Sequence, residues 1–188
     1  MSRWEWLQGA SFALVLLSCM RAVSVTPRAA RIAWALGIIP FVLVLVPVGS
    51  DHPVMYVGRI LLLAFFVYTV AVLLRQLMTA RQVEPGTLLA AASTYLLLGV
   101  VWSIVFGFIE AFDPGSFSFP DHDAGGYSSL LYFSFVTLVS LGYGEITPVT
   151  EAARSMVILE AIAGALFLTM LVARLVGLYT ARQSNDNE

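Results

Sequence analysis

Six apolar stretches divide this chain, and their lengths constrain its fold more than any other feature. Five are long enough to cross a bilayer, near residues 5–25, 31–49, 54–79, 88–112 and 151–180, because a spanning helix takes roughly 17–25 residues. The sixth, Ser128–Val139, has 12 residues and as a helix reaches about 18 Å, half a membrane. The lengths predict an all-α membrane protein with five transmembrane helices plus a re-entrant helix and the loop after it. Irregular backbone at membrane depth is tolerated only inside protein or along a wet pathway, so that loop requires neighbours. Composition agrees. The chain is 59% hydrophobic and 12% charged, where a soluble domain averages about 25% charged.

Turn residues mark the boundaries. Val25-Thr26-Pro27-Arg28, Pro47 to Pro53, Glu84-Pro85-Gly86-Thr87 and Asp113-Pro114-Gly115-Ser116 separate successive spans. Thr150 is placed to cap the last helix. All ten Lys and Arg residues are Arg. With the N-terminus outside, Arg21, Arg28, Arg31, Arg75, Arg81, Arg174 and Arg182 lie inside, and Arg3, Arg59 and Arg154 outside. Seven against three fits the positive-inside rule. Arg3 is offset by Glu5 and the positive residues follow the first apolar run, so that run is read as a retained span, not a signal peptide. Cys19, the single Cys, is read as a buried hydrophobe and leaves no intrachain disulfide. The net charge of −2 gives no reason to expect nucleic-acid binding.

The short stretch runs into Thr137-Leu138-Val139-Ser140-Leu141-Gly142-Tyr143-Gly144-Glu145, with Thr147-Pro148 beyond it. Arg154 lies ten residues past Gly144 and Gly164 twenty past it. From about Leu88 to Arg182 this pattern resembles the bacterial tetrameric potassium channel family, whose pore loop carries a TxxTxGYG-type selectivity filter. The resemblance implies a homotetramer in which residues 1–86 form three peripheral helices. Residues 87–182 then form a pore domain of outer helix, pore helix, filter and inner helix, and 183–188 a polar tail. Thr137, Ser140, Leu141, Gly142, Tyr143 and Gly144 correspond to the filter. Carbonyls of Ser140, Leu141, Gly142 and Tyr143, with the Ser140 hydroxyl, are implied to bind K+ as the permeant ion; no cofactor is implied. Ser140 stands for the usual Thr, Leu141 for Val or Ile, and Glu145 for Asp.

Further roles follow from the resemblance. Gly142 and Gly144 permit the positive φ angles that aim carbonyls at one axis. Tyr143 is expected to brace the filter against Tyr132, Phe133 and Phe135. Glu145, Arg154 and Glu160 support the filter and outer mouth. Gly164 is the gating hinge, and Ala165, Leu168, Thr169, Val172 and Val176, which share a helical face, line the cavity. The resemblance also implies a bacterial inner membrane, with the C-terminus cytoplasmic.

Other residues are read from their own chemistry. Glu160 is the one acid well inside a span, and such a carboxylate needs a partner or a function. Its face looks toward the short helix, where Ser134 or Thr137 can hydrogen-bond it as a structural brace. Asp113, Asp121, Asp123, Glu145 and Glu151 gather at the outer mouth, and His52 and His122 are surface residues. Arg59 and Arg75, sixteen apart, lack the every-third-residue spacing of a voltage sensor. Six residues follow Arg182, so no soluble ligand-binding domain is expected.

Four other functions compete. Gly142-Tyr143-Gly144-Glu145 is similar to the GxGD loop of intramembrane aspartyl proteases, but that chemistry needs two facing carboxylates and no span carries an Asp. A potassium-uptake transporter subunit would carry four pore repeats. A non-selective monovalent cation channel and a non-conducting accessory or sensor protein both remain open alternatives.

Overall fold

The computed structural model describes residues 53–80, 85–120 and 126–186. The expected spans near 5–25 and 31–49 lie outside the described residues. So do Arg3, Cys19, Arg21, Arg28, Arg31, His52, Arg81, Asp121, His122, Asp123 and the Arg182 side chain.

Four helices and two short strands are described: α1 (Pro53–Thr79), α2 (Pro85–Phe112), β1 (Phe117–Ser118), α3 (Tyr127–Leu138), β2 (Thr147–Pro148) and α4 (Glu151–Asp186). Three helices contain apolar runs of spanning length, Val57–Thr79, Gly86–Phe112 and Glu151–Thr180, whereas α3 is too short. The protein is an all-α membrane protein apart from the two-residue strands. Each boundary has a local cause. Pro85 occupies the first position of α2, where a missing N–H costs nothing. Thr150 caps α4, its hydroxyl accepting from the Ala153 N–H at 3.4 Å, as N-cap chemistry predicts. α4 continues to Asp186, into the stretch read as a polar tail.

The chain forms two compact units, Met1–Arg75 and Gln76–Glu188. In the first, Phe65 and Phe66 are fully buried with their rings edge to face at 5.3 Å. Thr69 is also buried, and its hydroxyl donates to the Phe65 carbonyl at 2.9 Å, so the apolar helix carries no unsatisfied hydroxyl there.

The second unit is built on packing among α2, α3 and α4. At one end Phe106, Phe117 and Phe133 form a ring triangle with centroids 5.4–5.5 Å apart, closed by Leu130, Ile146 and Ala153. β1 and β2 pair antiparallel, Phe117 opposite Pro148. The Val149 N–H also reaches the Ser116 carbonyl at 2.8 Å. This ribbon ties the loop after α2 to the loop before α4. The chain between, containing α3 and the segment after it, is thereby anchored at both ends. Glu110 holds the same loop, accepting from the Gly115 N–H at 2.8 Å and the Phe117 N–H at 3.0 Å.

Candidate functional site

α3 ends in a tight reversal. Ser140 has φ 59°, its N–H bonds the Thr137 carbonyl at 2.9 Å, and the Leu141 N–H bonds the Val136 carbonyl at 2.8 Å. These are the two bonds of a Schellman motif, with a left-handed residue just past the cap. Glycine is usual there; here it is Ser, a cost of about 1 kcal/mol. The pattern continues past the turn. Gly142 has φ 58° and Gly144 φ 91°, while Leu141 and Tyr143 stay at negative φ. A side chain at Gly142 or Gly144 would meet nothing within 4 Å in one chain. Glycine is required there by backbone conformation, not by crowding.

Positive φ at every second residue can turn successive N–H groups to one side and successive carbonyls to the other. The segment from Val139 to Glu145 is exposed throughout. Leu138 and Ile146, buried on either side of it, pin its two ends. Beside it lies a recess of about 310 Å³, bordered by Tyr132, Phe133, Val136, Thr137, Gly142 and Ala161.

The expected braces of Tyr143 are engaged elsewhere within the chain. Tyr132 donates its hydroxyl to Glu145. Phe133 belongs to the ring triangle, and Phe135 lies against Gly99. Tyr143 itself is 66% exposed. Residues 132, 133 and 135 point in different directions around a helix of 3.6 residues per turn, so one ring in this chain cannot meet all three.

Behind α3 the three helices meet in two layers one helical turn apart. In the first, the buried Ser134 hydroxyl lies 2.8 Å from the Gly99 carbonyl of α2 and hydrogen-bonds Glu160 of α4. Ser134, not Thr137, is the partner of Glu160. The Glu160 side chain is fully buried, and its Oε2 has no hydrogen-bond partner among the described residues. In the second layer, Tyr95 of α2 donates to the Leu138 carbonyl at 3.0 Å, and Gly164 of α4 closes on the same oxygen. Tyr95 and Gly99 are absent from the sequence-based candidates. A phenol in the middle of an apolar span was the available signal, since its hydroxyl must find an acceptor there.

The remaining candidates lie apart from these layers. Arg154 is exposed, and its Nε donates to the Pro148 carbonyl at 3.3 Å, at the foot of the ribbon. Ala165, Leu168, Thr169, Val172 and Val176 are all exposed in a single chain, and the Thr169 hydroxyl returns to the Ala165 carbonyl at 2.8 Å. Most of the apolar length of α4 is uncovered in a single chain. Among the described residues no cluster of His, Cys, Asp and Glu is arranged to hold a metal ion.

A family model described as "Ion channel" matches residues 88–181. No protein of curated function matches the chain.

Proposed function

The chain belongs to the ion-channel family, and on that premise we propose that four copies assemble around a pore that passes potassium ions passively. The observation that carries this reading is the alternation of left-handed residues at Ser140, Gly142 and Gly144 on a segment that one chain leaves uncovered. Four such segments around an axis would stack rings of carbonyls from Ser140, Leu141, Gly142 and Tyr143. Such rings can replace the hydration shell of a potassium ion, with the Ser140 hydroxyl completing the innermost ring. Thr137 lies one turn before the segment.

Two physical constraints support assembly. Irregular backbone cannot face lipid, and one segment per chain needs several chains to close a ring, for which cyclic symmetry is the norm. The largely uncovered α4 supplies apolar surface for neighbours and lipid. In this reading Ala165, Leu168, Thr169, Val172 and Val176 line a cavity below the filter. The C-terminal end of α3, carrying partial negative charge, favours a cation there. Glu145 and Arg154 stand at the outer mouth, where Glu145 and Glu151 raise the local cation concentration. Gly164 is the bend point of α4. The Arg asymmetry supports an N-terminus outside, and the resemblance supports a bacterial plasma membrane.

The test is the reversal potential of the reconstituted protein under a potassium/sodium gradient. The reading expects a value near the potassium Nernst potential, lost in Gly142→Ala, where a Cβ at positive φ costs about 1–2 kcal/mol per chain. Equal permeability would instead identify a non-selective cation pore. An assembled but silent protein would identify an accessory role.

A further inference from the structure

The last carbonyls of a helix have no partner within it, and each buried one must find a donor. In α3 the chain supplies most of them as it turns. The Val139 N–H bonds Phe135 O at 3.0 Å, the Ser140 N–H bonds Thr137 O at 2.9 Å, and Val136 O accepts from Leu141 at 2.8 Å and Gly142 at 3.3 Å. The Leu138 carbonyl differs. Its donor is the Tyr95 hydroxyl, 43 residues earlier in sequence and on another helix. The Tyr95 ring is in turn stacked on Phe167 of α4, with centroids 5.7 Å apart and planes inclined by 24°.

Because a peptide unit is planar, the direction of the Leu138 carbonyl fixes the plane of the whole 138–139 linkage. Val139 alone separates that linkage from left-handed Ser140. We propose that Tyr95 is a positioning residue for ion discrimination: by holding the Leu138 carbonyl it orients the peptide from which the Ser140–Gly144 segment starts. The inference rests on the pore reading above. Discrimination between cations depends on the number and placement of coordinating carbonyls. Without that donor the 138–139 peptide is held by the Val139 N–H bond to Phe135 O alone, and the Ser140 ring next to it loses one of the two hydrogen bonds that fix its base. Sodium, the smaller ion, gains most from carbonyls that can move inward.

The experiment compares the sodium-to-potassium permeability ratio of wild type and Tyr95→Phe in liposomes, each checked for assembly by cross-linking. Wild type is measured first. If it does not discriminate, the pore reading fails and the proposal fails with it. If it discriminates, Tyr95→Phe is expected to raise the ratio by roughly threefold to tenfold, the equivalent of one neutral hydrogen bond, at unchanged oligomeric state. An assembled Tyr95→Phe protein with the wild-type ratio overturns the proposal while leaving the pore reading intact. Should Tyr95→Phe not assemble, 3-fluorotyrosine at position 95 decides. It keeps the ring and strengthens the donor, so the ratio falls if the hydroxyl sets the carbonyl and stays constant if it does not.

Discussion

Gly164 approaches the carbonyl oxygen of Leu138 so closely that a Cβ added to it would sit 2.7 Å from that oxygen and 2.9 Å from Leu138 Cδ1. The absence of a side chain at 164 lets α4 seat directly on the end of α3. Bending and seating make opposite predictions for Gly164→Ala. Alanine favours a helix over glycine by about 1 kcal/mol, so a position selected for bending alone would gain thermal stability. Close seating predicts a loss of about 1–3 kcal/mol from overpacking. Thermal unfolding of the detergent-solubilised protein, followed by helical circular dichroism, separates them. A raised midpoint would falsify the seating role.

Glu160 is predicted to tolerate Gln and not Ala. The Ser134 hydroxyl has one hydrogen and two acceptors within reach, the Gly99 carbonyl and the Glu160 carboxyl. The Ser134 hydroxyl and the Gly99 carbonyl are both satisfied when the carboxyl carries a hydrogen on Oε1 and donates it to Ser134, which then donates to Gly99. Gln supplies a donor of the same reach, so Glu160→Gln is expected within about 0.5 kcal/mol of wild type. Glu160→Ala leaves a cavity and removes the donor, a loss of about 2–4 kcal/mol. Equal stability of the two variants would show that the hydrogen bond to Ser134 contributes nothing.

Several of these features were legible in the sequence, and the reason differs from one to the next. α1, α2 and α4 were visible because the length of an apolar run is a property of composition. α3 was visible because 12 residues are too few to span. Ser134 was one of two partners named for Glu160, since a carboxylate in an apolar span must be met and the facing turn offers few hydroxyls. The left-handed Gly142 and Gly144 follow from residue type. Ser140 does not: its φ is imposed by the helix-ending hydrogen bonds of Thr137 and Val136, which residue type alone does not announce. Tyr95, Gly99 and Leu138 were illegible for a different reason. Their relation exists only once α2 and α3 are packed, and no local periodicity encodes it.

Glu110 was read as part of an apolar span, yet its carboxylate receives two backbone N–H groups from the turn at Gly115 and Phe117. Those bonds position β1, and through β1 the pairing with β2 that anchors the chain before α4. Glu110→Ala is predicted to lower stability by about 1–2 kcal/mol, with the charged character of the bonds partly offset by solvent. Glu110→Gln retains one acceptor and should recover about half of that. Limited proteolysis between residues 113 and 120 provides the local readout. Cleavage at the wild-type rate in Glu110→Ala would mean that the ribbon holds without the carboxylate.

Arg174 fastens the other end of the second unit. Its Nε donates to the Leu77 carbonyl at 2.8 Å, and one terminal nitrogen to the Met78 and Ala80 carbonyls at 2.7 and 2.8 Å. These carbonyls lie at the C-terminus of α1, where the helix provides no donors and the dipole favours positive charge. A guanidinium can serve all three at once because its donors are held in a rigid plane. An ammonium on a flexible stem keeps the charge but loses that geometry. Arg174→Ala is therefore predicted to cost about 1.5–3 kcal/mol, and Arg174→Lys a smaller part of it. Hydrogen exchange locates the effect: amides of residues 76–80 should exchange faster in Arg174→Ala, with Arg174→Lys intermediate and α3 unchanged. If residues 76–80 stay protected in both variants, the end of α1 is held by packing, and the three hydrogen bonds are a consequence of that packing and not its cause.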